Sequence, residues 1–116
     1  MKTAKKIGQV QPHPNEFDHR RIERALANRE RYRYVTPRVV SVAGGYRVES
    51  PCCSRNIDPE GGVIDVAWIA YDPGSQEWRL YNKDHAAGSW EIESNHERLI
   101  EVLEILLEDT DRKFWQ

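Results

Sequence analysis

Two adjacent thiols are the least ordinary chemistry in this chain. Cys52 and Cys53 stand in Ser50-Pro51-Cys52-Cys53-Ser54-Arg55-Asn56 and are the 2 cysteines of the whole sequence. Their flanks are polar turn formers, which keep at least one thiol near water, and the charge of Arg55 lowers a thiol pKa by stabilising the thiolate. With Asn56 beside them and His85 as base or ligand, they have the makings of a soft-metal or thiol-reactive site, or of an activated nucleophile. The plainer alternative is preferred: successive side chains of an extended backbone point to opposite faces, so one cysteine faces the core and the other faces out. Structural zinc sites usually separate paired cysteines by two or more residues. A disulfide between neighbours closes a strained ring, so the reduced pair is the default and no cofactor is expected.

The other candidates are charges and aromatic rings. Asp18-His19 and Asp84-His85 put an acid beside a histidine, but neighbours in sequence point apart, and a turn around His85 is polar without any function. Arg20, Arg24 and Arg31 recur at helical spacing, as do Glu97, Glu101, Glu104 and Glu108. Residues three and four apart share a helix face, which makes two ridges of opposite sign. Such a ridge is ordinarily just solvated, yet two of them on one small domain also suit a charged protein partner or a homodimer, acting mainly on approach and orientation. Arg20, Arg21, Arg24, Arg29, Arg31, Arg33 and Arg38, interleaved with Tyr32 and Tyr34, have the chemistry to hold phosphates and stack on bases. Glu23 and Glu30 interrupt that run, and a pI of 6.1 is far from the balance of most nucleic-acid binders. Trp68, Trp78 and Trp90 are more often core than pocket, though aromatic walls on a sheet are where small ligands settle. No nucleophile elbow, P-loop or dinucleotide fingerprint is present.

The elements that must position these residues follow from periodicity. Residues 1–14, with Gln11-Pro12-His13-Pro14, lack apolar period and are expected to form a flexible arm. Asn15 and Asp18 resemble a capping pair for a first helix with Ile22, Ala25, Leu26 and Arg29 as its inner stripe through about Tyr32; Pro37 ends any helix by Thr36. Five strand-like segments come next: Arg38 to Val42, Tyr46 to Ser50, Val63 to Tyr71, Glu77 to Lys83, and Ser89 to Glu93. Gly44-Gly45 suits a tight hairpin, Asp72-Pro73-Gly74-Ser75 a turn, and the apolar Val63 to Tyr71 segment a central strand covered on both faces. A second helix opens at Ser94, with Glu97 three residues on, and carries Leu99, Ile100, Leu103, Leu106 and Leu107 inward until about Thr110. Phe114 and Trp115 should tuck against the body.

Trp78-Arg79-Leu80-Tyr81, a following strand with Trp90 and an ending from Asp111 to Phe114-Trp115 stand in the order helix, meander, helix. In these features the chain resembles a bacterial family known as domain of unknown function 3024. The Cys52-Cys53 loop departs from the family, whose second strand tends to run on into an Arg-Pro segment. The resemblance implies a fold and carries over no site.

The 116 residues allow one core and exclude a second catalytic domain. The 39% hydrophobic and 31% charged residues, with 4 Trp and 5 Tyr, exclude disorder. Charge is uneven: residues 1–50 hold 11 Lys or Arg against 5 acids, the remainder 6 against 14, which marks a partner face or two halves that neutralise each other. No apolar run approaches the roughly 20 residues of a membrane span, no signal-like segment follows the basic start, and no disulfide staples a long loop, so a cytoplasmic protein is expected. The sequence therefore predicts an arm over 1–14 and a single α+β domain over 15–116: an N-terminal helix, a four- to five-stranded antiparallel β-meander, and a C-terminal helix packed on the sheet. The preferred function is non-enzymatic binding of a protein partner or small ligand, ahead of a thiol-dependent or metal-handling role and then of nucleic-acid binding.

Overall fold

The computed structural model describes residues 12–28, 36–51, 62–109 and 113–115. Along the chain run α1 (Glu16–Ala27), β1 (Arg38–Val42), β2 (Gly45–Pro51), β3 (Val63–Asp72), β4 (Glu77–Asp84), β5 (Ser89–His96) and α2 (Leu99–Glu108). The strands form one antiparallel sheet in the order β1-β2-β3-β4-β5, the expected meander. Turn chemistry fixes the register. Gly44 and Gly88 take φ of 77° and 71°, where a side chain would be strained, and the Asp72 carboxylate accepts from the Gly74 N–H and Ser75 hydroxyl, both at 3.0 Å.

Both helices lie on one side of the sheet. Ile22 and Leu26 of α1 and Leu99, Val102, Leu103 and Leu106 of α2 are buried with Val39, Tyr46, Val48, Ile69, Trp78 and Leu80 from the strands. Each large apolar side chain so buried contributes about 1.5–3 kcal/mol. The β2–β3 register jumps between Val48 and Glu49, whose partners are Ala67 and Asp65. Val66 is thus an extra residue, and the bulge lets the successive Val66 and Ala67 both be buried.

Four expectations change. The helix over Asn15 to Tyr32 stops at Ala27, where Asn28 is the C-cap, because an Asn side chain competes for local backbone bonds. Ser94 does not open α2: it pairs with Leu80 in β5, and the ladder continues to His96 opposite Trp78. Sheet pairing outweighs the local Ser-x-x-Glu signal, and the helix starts after Arg98, whose N–H donates to Glu101 Oε1 at 3.3 Å. Starting there, α2 turns Val102 inward and leaves Ile100 40% exposed. Finally, among the described residues the helices cover one face of β3, and its Trp68 is half-buried on the other.

Two ends of the chain are clamped to the helix side. His13, expected in the flexible arm, packs against Tyr71 and Trp78 with ring centroids at 4.9 and 4.7 Å, and its Nδ1 is 2.9 Å from the Tyr46 hydroxyl. Burial lowers the His13 pKa, while the nearby Asp18 carboxylate partly opposes it. At the other end Phe114 and Trp115 are buried, as expected. The Asp109 carboxylate accepts the backbone N–H groups of Lys113, Phe114 and Trp115 at 2.7, 3.1 and 2.8 Å, and Trp115 Nε1 donates to Leu106 O at 2.8 Å.

Candidate functional site

Alternation along the strands sends every second side chain to the face away from the helices. Register aligns one row there across all five strands: Val40, Arg47, Trp68, Tyr81 and Ile92. Among the described residues neither helix packs on this face. Trp68 and Tyr81 stack at 4.4 Å with 23° between their planes, Trp90 leans against Trp68 at 5.9 Å, and Lys83 Nζ sits 4.8 Å over the Trp90 ring. The expected Trp68, Trp78, Trp90 set is therefore divided by the sheet, since Trp78 is buried beneath the helices.

Between the indole rings and the β1–β2 hairpin lies an open cavity of about 280 Å³, lined by Val42, Ala43, Arg47, Trp68 and Trp90. Its neighbourhood is compact because β2 approaches β3 closely at Gly45, where a Cβ would overlap the Ile69 carbonyl oxygen and crowd Ala70 Cα at 2.8 Å. Charge on this face is compensated. Arg38 and Arg47 donate to Glu49 at 2.9 and 2.7 Å, Lys83 donates to Asp65 at 3.2 Å, and Arg79 donates to Asp72 at 2.7 Å. Burial alone pushes the Glu49 carboxyl up, but the hydrogen bonds and charges of Arg47 and Arg38 together hold it below its ordinary value. Hydrogen bonding is not compensated to the same degree. Arg47 Nε is 3.2 Å from Asp65 Oδ1 but not aligned for a hydrogen bond, and both it and Trp68 Nε1 are buried donors without an acceptor.

The residues singled out by sequence are scattered. Cys52, Cys53, Arg55, Asn56 and Arg31 lie outside the described residues. His85 follows the end of β4, and Pro51 and Val63, which flank the cysteine segment, are at that same end of the sheet. Burial lowers the His85 pKa, with the Lys83 charge adding to it. Arg20 and Arg24 are exposed on α1, and Arg20 is held by Glu16 at 2.7 Å. Glu97 precedes α2 instead of joining its ridge. Glu101, Glu104 and Glu108 remain on the helix and line a groove of about 530 Å³ with Glu93, His96, Asp109 and Lys113. Within it Lys113 reaches Glu93 at 3.2 Å. Among the described residues no group of three or more His, Asp or Glu is placed to hold a metal ion, and no helix is long and apolar enough to cross a membrane.

Arg47 and Val42 were missed as site residues because nothing local distinguishes them from ordinary strand positions. The available signal was parity: Arg47 and Trp68 lie on alternate-facing strands, and only pairing register brings them together.

Residues 10–116 match a family model described as Domain of unknown function (DUF3024). No curated protein and no solved structure matches the chain.

Proposed function

We propose that the chain, which belongs to the DUF3024 family, works as a small non-enzymatic binding module whose recognition surface is the open face of its sheet. The observation that carries this reading is the indole-walled cavity on the open face, lined by Trp68, Trp90 and Arg47. Its volume suits a one- or two-ring molecule, near the lower end of the roughly 300–1,000 Å³ of ligand pockets. The reading places the protein in the cytoplasm, because two adjacent cysteines close no long loop and suit a reducing compartment.

The test uses the full chain labelled with ¹⁵N and titrated with indole, quinoline, benzamide and indole-3-carboxamide. Backbone and indole shifts should cluster at Val42, Arg47, Trp68 and Trp90 and disappear in Trp90→Ala. If none of the four moves those signals up to its solubility, the reading is wrong.

A second reading, docking of a basic protein segment, is favoured by the acidic groove along α2, where Glu93, Glu101, Glu104, Glu108 and Asp109 face Lys113. Glu104→Lys with Glu108→Lys changes only exposed positions. A tri-lysine peptide that binds both proteins equally would remove this reading.

A further inference from the structure

Given that reading of the open face, we infer that its ligand is a neutral, flat ring carrying a carbonyl oxygen, and that charge compensation within the sheet selects against anions. Three observations combine. The cavity is walled by two indole rings, each with one face already used, Trp68 by Tyr81 and Trp90 by the Lys83 ammonium. The two rings meet at 58° with centroids 5.9 Å apart, and the ring surface left open borders the cavity. Stacking with aromatic walls brings about 0.5–1.5 kcal/mol beyond the area buried.

The second observation is the pair of unused donors. Arg47 and Trp68 are register partners on β2 and β3; Trp68 Nε1 has no acceptor, and Arg47 Nε has only the misaligned Asp65 Oδ1 at 3.2 Å. A buried donor without an acceptor costs about 1–3 kcal/mol, and native structures rarely keep two together without a use for them. An oxygen supplied by the ligand recovers that cost. Access requires a shift of the Arg47 side chain, which is 36% exposed and is tethered at its outer end by Glu49 at 2.7 Å.

The third observation decides the ligand's charge. Arg38, Arg47, Lys83 and Arg79 each have a carboxylate within 3.2 Å, drawn from Glu49, Asp65 and Asp72. An anion in the cavity would have to compete with Glu49 and Asp65 for Arg47, the cation among its lining residues, and so would find no uncompensated charge to bind. A carbonyl oxygen uses the two donors without that opposition. The chemical class is thus a heteroaromatic lactam or aromatic amide, the exposed edge of an oxo-base among them. A phosphate-bearing strand is disfavoured, although aromatic rings on a sheet are otherwise a platform for one.

The experiment compares three probes with a common ring: indole-3-carboxamide, indole-3-carboxylate and 3-methylindole, each titrated into the ¹⁵N-labelled full chain. The carboxamide should bind about tenfold more tightly than the other two, the worth of one to two hydrogen bonds. It should also move the Trp68 Nε1–H signal downfield, assigned through its loss in Trp68→Phe. Asp65→Asn, with Glu49→Gln as a second route should the first fail to fold, should raise carboxylate affinity about tenfold by leaving Arg47 or Lys83 partly uncompensated. Tighter binding of the carboxylate to the native chain, or binding that leaves Trp68 Nε1–H unmoved, would overturn the inference while leaving the open face as the site. An oligothymidylate that displaces the carboxamide at low salt would overturn it in favour of nucleic acid. Binding of no probe would instead remove the reading on which it rests.

Discussion

At the scale of single residues, two buried polar groups decide how the ends of the chain are held. Asp109 adopts φ 36° at the C-cap of α2, a left-handed conformation that Asp tolerates better than most residues, and its carboxylate accepts three backbone N–H groups of the tail. Hydrogen bonds to a charged acceptor are worth about 1.5–3 kcal/mol net of the water they replace, and three that share one carboxylate do not add. Asp109→Ala should therefore cost roughly 2–3 kcal/mol in urea unfolding, with Asp109→Asn in between. His13 gives a pH dependence of defined sign. Its folded pKa lies below the ordinary histidine value because burial penalises the charged ring. The unfolded chain then takes up the proton first, so stability is full above the ordinary value and is lost as pH falls towards the folded one. His13→Asn should flatten the decline in Tm between about pH 7 and pH 5. A ring titration by NMR at or above the ordinary value would refute the sign.

At the scale of elements, close approach of two strands and the packing of one helix carry the fold. Gly45 brings β2 against the Ile69–Ala70 backbone of β3 without room for a Cβ. Gly45→Ala should cost about 1–3 kcal/mol, as overpacking does, near the upper end because the obstructing atoms are backbone. Chemical denaturation measures this directly, and a neutral substitution would mean that the strands separate easily here. In α2, Leu106 is fully buried among the residues of the core, so Leu106→Ala should cost about 2–5 kcal/mol. Glu104 lies on the outside of the same helix, and Glu104→Ala should stay within about 0.5 kcal/mol.

At the scale of the whole molecule, two helices packed on the same side of one sheet make stability uneven. β3 is paired on both sides and supplies the buried Val66, Ala67 and Ile69, whereas β1 and β5 are edges. Hydrogen exchange should proceed last at β3 and the facing part of β4, and first at β5, whose Ile92 is 53% exposed. Uniform protection across all five strands would contradict this order.

Much of this fold is encoded in local pattern. The meander was legible because each strand is bounded by Gly, Pro or Asp turns. The buried stripe of α1 at Ile22 and Leu26 and the docking of Phe114-Trp115 were legible because each is apolar at the right spacing. The ridge of Glu101, Glu104 and Glu108 was legible from helical spacing alone, while Glu97 was misplaced because Ser94 to His96 gain more from pairing with β4 than from opening a helix. Only the tertiary structure decided the rest. Which of Trp68, Trp78 and Trp90 face the helices depends on register across three strands, and one residue of slip would exchange the faces. The meeting of Arg47 with Trp68, and the pairing of both Arg47 and Lys83 with Asp65, arise between residues far apart in the chain. They are set by strand pairing and by the bulge at Val66, features that no local pattern carries.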